Sequence, residues 1–324
     1  MKRTLVTGGA GFVGANLVRR LLAEGHEVHL WMRPGTSLWR VDSVLSDVTL
    51  HSGSFQDPES LSRALKNIRP DWVFHLAAHG AYSWQTDLQA MIETNVLGTV
   101  NLIRACLETG FEAFIAAGSS SEYGFKDHAP SEEEACEPAS DYAWSKLSAA
   151  LYARYAARRF EKPIVTLRLY SVFGPYEEPG RLIPALLAEG AKGKLPPLVR
   201  PETAHDFVYV DDVCEAFLLA ASHPQKTKKG IYNVGTGFQT EMRHVVDVAR
   251  RVMALNEEPV WNSMPGRGWD TSIWMADPRR IKEDLGWAPK HDFESGFRKA
   301  AQWYRNDPAS RKIYEQNAAP LRSR

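Results

Sequence analysis

The opening fourteen residues constrain the fold more than any other stretch. A short apolar run, TLVT, leads into TGGAGFVG, and the following FVGANLVRRLLAEG repeats apolar residues at helical spacing. Gly8, Gly11 and Gly14 therefore lie where a strand turns into a helix. Glycine at these points permits a tight turn, close backbone approach to a pyrophosphate and close helix packing, while the helix N-terminus supplies unpaired N–H groups. The spacing is a weak signal alone, but the strand before it and the helix after it give it weight.

Short apolar runs then alternate with helical patterns up to about Arg168: EVHLWM, VTLHSG, PESLSRALKNI, WVFHLAA, MIETNVLGTVNLIRACLETG, FEAFIAAG and PIVTLRL. This alternation predicts an α/β fold, a Rossmann doubly wound parallel sheet, over residues 1–168. Beyond it the chain becomes richer in proline and glycine (GPYEEPGR, GKLPPLVRP, PGRGWD), with helices predicted at 181–190, 212–222 and 241–254. Residues 169–324 are expected to form a smaller, mainly substrate-binding α/β domain that ends in a loosely held tail from Asn306.

Charge narrows the partner. Lys plus Arg and Asp plus Glu number 39 each, so no net field draws the chain to a nucleic acid polymer or an anionic membrane, and a small molecule is the expected partner. Cys106, Cys136 and Cys214 form no CxxC pair, and no stretch approaches 18 apolar residues. A cytoplasmic protein without signal peptide or membrane span is expected.

The end of the second predicted strand selects the dinucleotide. A carboxylate there would bind the ribose 2′-OH of NAD, whereas a base would pair with the extra phosphate of NADP. Met32 and Arg33 occupy the site, with Ser37 and Arg40 close behind. NADP(H) is favoured, and NAD(H) remains possible.

In DYAWSK, Tyr142 and Lys146 lie four apart at the start of a predicted helix and so share a face. An ammonium beside a phenol favours the phenolate, which would bring the tyrosine toward the range of a general acid/base. His75 and His79 flank HLAA but lack a third ligand and read as packed residues rather than a metal site. Asp211 and Asp212 read as helix caps, and SEEEACE (131–137) as a solvated loop.

Together TGGAGFVG, HLAA, TNVLGT, GSSSEYG, YAWSK, RLYSVFGP, HDFVYVDDV, YNVGTG and ADPRRIKEDLGWAP resemble, in order and over nearly the whole chain, the extended short-chain dehydrogenase/reductases that modify nucleotide sugars. The resemblance implies a nicotinamide cofactor on the N-terminal half and a nucleotide diphosphate sugar in the cleft with the C-terminal half. It assigns Gly8, Gly11, Phe12, Val13, Gly14, Ser54, Phe55, Leu76, Ala77 and Ala78 to the cofactor, together with Tyr142 and Lys146. His79, Tyr82, Ser171 and Arg267 fall to the substrate, and Tyr142 to proton transfer beside a carbonyl-polarising serine. A homodimer, paired through helices carrying 87–109 and 139–160, is implied in the same way.

Counting back four residues from the Tyr123–Gly124 pair makes Ser119 the catalytic hydroxyl, with Ser120 as the fallback. Related 4,6-dehydratases carry a carboxylate two positions after that hydroxyl. Here Ser121 stands there and Glu122 falls one position late, so only a register anchored on Ser120 would rescue a dehydratase. GSSSEYG instead resembles the loop of GDP-4-keto-6-deoxymannose reductases, and with Arg33 it points to reduction of a 4-keto sugar. The alternative is a 4-epimerase with retained NAD. A cofactor-sensing protein without catalysis would be expected to lose the Tyr–Lys pair. Three departures from the family pattern stand out: Ser54 in place of aspartate, Ser171 in place of asparagine and His205 in place of arginine.

Overall fold

The glycine turn sits where the sheet begins. In the computed structural model, which describes residues 1–227, 230–264 and 273–317, β1 (Arg3–Thr7) enters the turn and α1 (Phe12–Ala23) leaves it. There follow β2 (Glu27–Met32), β3 (Thr49–Ser52), α2 (Pro58–Ile68), β4 (Trp72–His75) and a short α3 (Leu88–Met91). A π-helical turn at Ile92–Leu97 joins α3 to α4 (Gly98–Thr109), and then come β5 (Ala113–Ser119), a 3-10 turn at Ser120–Tyr123, α5 (Asp141–Phe160) and β6 (Ile164–Leu169). The C-terminal part begins with β7 (Ser171–Phe173), α6 (Leu182–Gly190), β8 (Ala204–His205), β9 (Phe207–Tyr209) and α7 (Val210–Ser222). It continues through β10 (Ile231–Val234), β11 (Thr240–Glu241), α8 (Met242–Met253), α9 (Arg279–Leu285), α10 (Phe293–Asn306) and α11 (Pro308–Asn317).

Seven parallel strands form the main sheet in the order β3-β2-β1-β4-β5-β6-β10. Helices cover both faces, so β4 and β6 are buried almost without interruption rather than alternating. On one face α1 and α7 bury Leu17, Leu21, Val213 and Phe217 against the strands. On the other, α2, α4 and α5 bury Leu61, Leu65, Leu102, Cys106 and Ala153. Alanines at 143, 149, 150, 153 and 156 give α5 a thin inner face, which lets it lie close on the sheet. Strand order reverses between β1 and β4, and that reversal opens a crevice at the carboxyl ends of the strands.

The doubly wound sheet and the three later helices match expectation. Beyond the anticipated boundary at Arg168, the chain still returns to the main sheet: β10 pairs with β6, and α7 packs over the α1 face. A separate apolar core lies under α6, α8, α10 and α11.

Two sequence readings need correction. The chain after Asn306 is not a loose tail as far as residue 317, because α11 buries Tyr314 against Trp39, Trp303 and Tyr304. Aromatic burial supplies the driving force that mixed charge concealed. Nor does Asp212 cap α7: in the helix's first turn, its carboxylate accepts from the backbone N–H of His291 at 3.1 Å and lies 3.0 Å from its Nδ1.

Candidate active site

At the glycine turn the demand for small residues is measurable. Gly8 adopts a left-handed φ of +70°, and a Cβ there would lie 2.5 Å from the Ala77 nitrogen. A Cβ on Gly14 would stand 2.2 Å from the Gly8 carbonyl oxygen. The first turn of α1, Phe12, Val13 and Gly14, thus lies directly over the loop, with its N–H groups aimed at the crevice. Leu76 and Ala77 leave β4 beside it, the Leu76 N–H donating to Thr7 O at 3.0 Å. A dinucleotide pyrophosphate fits this cradle, because backbone replaces side chain wherever a ligand must come near.

The outer cofactor candidates diverge. Arg33 follows β2 directly and is exposed, its carbonyl accepting from the Thr36 N–H and hydroxyl, and Ser37 is exposed nearby. Arg40 is buried and turned to the C-terminal part, donating to Tyr176 O at 2.7 Å and to Glu178 at 2.8 Å. Ser54 bonds Gln56, while Phe55 is buried edge-on to His75. Ala78 is exposed at the crevice.

His75 is structural, as expected. It sits between the hydroxyls of Thr7 at 2.7 Å and Thr99 at 2.9 Å, and burial, with the charge of Lys146, pushes its pKa down to about 3. No group of three metal-ligating side chains occurs among the described residues.

Ser119 ends β5, and its hydroxyl shares a 2.7 Å hydrogen bond with Ser121 and favours the Tyr142 phenolate. Ser120 is buried on the other side, against a small cavity lined by Tyr170 and Trp274. Tyr142, in the first turn of α5, is pushed up to about 12, chiefly by burial and next by the Glu122 carboxylate; the Ser119 hydroxyl pulls the other way. The expected depression by Lys146 is not the geometry found: its ammonium donates to Ala117 O at 2.5 Å. Burial lowers the lysine pKa, and Glu122 opposes that.

Glu122 is the carboxylate of this loop. It is fully buried, accepts from the Ser119 N–H at 2.8 Å and from Arg168 Nε at 2.7 Å, and so points under the loop rather than into the crevice.

Residues that the sequence did not single out complete the site. Asn95, 1% exposed in the π-helical turn, accepts from the His79 N–H and donates to His79 O and Ser145 Oγ, each at 2.8 Å. Ser145 in turn donates to Tyr142 O at 2.8 Å, so one amide ties the β4 loop to the helix that carries the phenol. TNVLGT contains Asn95, yet nothing in the string reveals its partners. Arg181, at the start of α6, places its charge near both Tyr142 and Tyr82, and pairs with Glu177 at 3.1 Å. Tyr82 stacks on Trp84 with ring centroids 4.8 Å apart, within the electrostatic reach of that arginine. Ser171 lies in β7, its N–H donating to Asp206 O at 3.0 Å, and Arg267 lies outside the described residues.

Known proteins match the chain in sequence and fold. The family model described as "NAD dependent epimerase/dehydratase family" matches residues 4–235. A UDP-glucose 4-epimerase of Mycolicibacterium smegmatis is 30% identical over 94% of this chain and 99% of its own length. A dTDP-glucose 4,6-dehydratase of Salmonella typhimurium is 27% identical over 93% of this chain and 92% of its own. Among solved structures, a Thermus thermophilus UDP-glucose 4-epimerase in complex with NAD superposes with a TM-score of 0.82 at 31% identity, covering 94% of this chain and 99% of that one. The chain belongs to the NAD-dependent epimerase/dehydratase family.

Proposed function

We propose that this member of the NAD-dependent epimerase/dehydratase family is an oxidoreductase acting on a nucleotide diphosphate sugar, and that its reaction is reduction of a 4-keto sugar. The supporting observation is a partly buried phenol in the first turn of α5, beside the Ser119 hydroxyl that ends β5. When bound, the nicotinamide supplies the hydride. Tyr142 donates the proton to the carbonyl oxygen, and the Ser119 hydroxyl stabilises the charge that develops there. We assign Lys146, one turn along α5, to the nicotinamide ribose, and Tyr82, His79 and Ser171 to the sugar nucleotide.

The exposed Arg33 after β2, in a position without a carboxylate, favours NADP(H). The fixed partners of Glu122 argue against water elimination, since no free carboxylate stands two residues after Ser119. A second reading, 4-epimerisation with retained NAD, draws on the likeness to 4-epimerases and uses the same residues.

We assign residues 1–168 mainly to the cofactor and 169–324 mainly to the sugar nucleotide. No described helix is long and apolar enough to cross a membrane, and we place the protein in the cytoplasm. Exposed Leu97, Leu151 and Tyr155 form the surface we assign to a homodimer, which sedimentation at single-subunit mass would exclude.

Mass spectrometry of nucleotide released on denaturation decides between the two reactions. Stoichiometric NAD supports the epimerase; an empty protein that binds NADPH reversibly supports the reductase. Tyr142→Phe is expected to abolish turnover while leaving cofactor binding nearly unchanged, and persistent turnover would refute the proton-transfer role.

A further inference from the structure

The Glu122–Arg168 pair is an unusual object to find beneath a proton-transfer site. Both side chains are buried, with 0% and 3% exposure, and the ion pair is 2.7 Å long. A buried pair of this kind is weak evidence of stability, because desolvation offsets most of the attraction. Its orientation is more informative. The guanidinium lies on the far side, 4.4 Å over the Tyr123 ring and 3.2 Å from Cys136 Sγ. The carboxylate lies on the near side, with Oε1 on the Ser119 N–H.

Space for it is built into the strand. A Cβ on Gly118 would come 2.8 Å from Glu122 Oε1 and 2.7 Å from Thr166 Cγ2, so the glycine admits the carboxylate under the end of β5. The capping geometry is reciprocal, Ser119 Oγ accepting from Ser121 N–H at 3.2 Å while Glu122 holds the Ser119 N–H.

We infer that Glu122 is a positioning residue for the Ser119–Tyr142 pair, fixing the serine through its backbone N–H and setting a buried negative charge under the loop that carries it. The inference rests on the reading of Ser119 and Tyr142 given above, but not on which sugar or cofactor they serve.

The groups around the phenol are few. From the end of β5 comes Ser119, from the 3-10 turn after it Glu122, from the 82 loop Tyr82, from the start of α6 Arg181, and on its own helix Lys146. Arg168, Lys146 and Cys136 face the carboxylate. Tyr82, like Glu122, disfavours the phenolate, while Ser119 and Arg181 favour it. Glu122 is the strongest of these charges and acts to keep the proton on Tyr142.

The test is titration of the full-length chain labelled with [13C]tyrosine, the Tyr142 resonance being assigned from its loss in Tyr142→Phe. Wild-type Tyr142 is expected to remain in its protonated position at pH 10.5, where an ordinary tyrosine of pKa about 10 is mostly ionised. Glu122→Gln combined with Arg168→Gln removes both charges and leaves two amides able to bond each other. In that variant the resonance is expected to move toward the tyrosinate position at a lower pH than in the wild type, burial still holding it above the ordinary range. Arg168→Gln alone, which leaves the carboxylate without its partner, is expected to show no such movement. A folded double variant with the wild-type titration would overturn the inference. So would a wild-type Tyr142 that ionises in the ordinary range, a result that needs no variant to fold. Loss of the proton-transfer reading is seen separately, as turnover surviving Tyr142→Phe.

Discussion

Asn95→Ala is expected to do more damage than any single surface contact in the chain. The side chain makes three hydrogen bonds of 2.8 Å: it accepts from the His79 N–H and donates to the His79 carbonyl and the Ser145 hydroxyl. Truncation leaves both backbone groups of His79 without their partner and releases Ser145, which still donates to Tyr142 O. At about 1 kcal/mol for each group in a partly buried setting, the loss is roughly 3 kcal/mol, or more than a hundredfold in the folding equilibrium. With an unfolding entropy of about 2.1 cal/mol/K per residue over 324 residues, that is a fall in Tm of about 4 °C. Asn101→Ala is the internal comparison, because Asn101 donates one bond, to Phe55 O at 2.8 Å, and should cost only about 1 kcal/mol. Urea unfolding of both variants, with m unchanged, measures the difference. Equal losses, or a loss at Asn95 below about 1 kcal/mol, would refute the view that this amide clamps the β4 loop to α5.

Gly14→Ala is expected to weaken NAD(P) binding at least tenfold by calorimetry, because its Cβ would meet backbone 2.2 Å away, whereas Gly180→Ala, with nothing within 4 Å, should be neutral. Burial raises the pKa of Glu177 to about 7, the Arg181 pair opposing, and leaves Oε2 without a hydrogen-bond partner. A carboxyl group raised in this way contributes stability that is complete below about pH 4.5 and is lost as pH rises through about 7, on the order of 3 kcal/mol in all. Glu177→Gln should flatten that decline in urea midpoints; an unchanged slope would show that another group causes it.

The architecture and the place of the crevice were legible because they depend on local rules. The three glycines, the alternation of strand and helix and the mainly apolar β4 and β6 runs act over a few residues each, and backbone sterics and burial translate them directly into β1–α1 and a parallel sheet. Tyr142 and Lys146 were findable for the same reason, since helical periodicity puts them on one face. What their side chains do was not. Lys146 turns to Ala117 O, Arg40 turns to Glu178 instead of standing free beside Arg33, and Tyr314 in a tail of mixed charge closes an aromatic core. Glu122 reads in the string as a carboxylate near a serine row; only folding brings Arg168, 46 residues away, beneath it and makes it a buried partner of Ser119. Sequence fixes what each backbone segment can be, since propensity and pattern are local. Charges and hydrogen bonds act through space, so their roles wait on which distant residues the tertiary structure sets beside them.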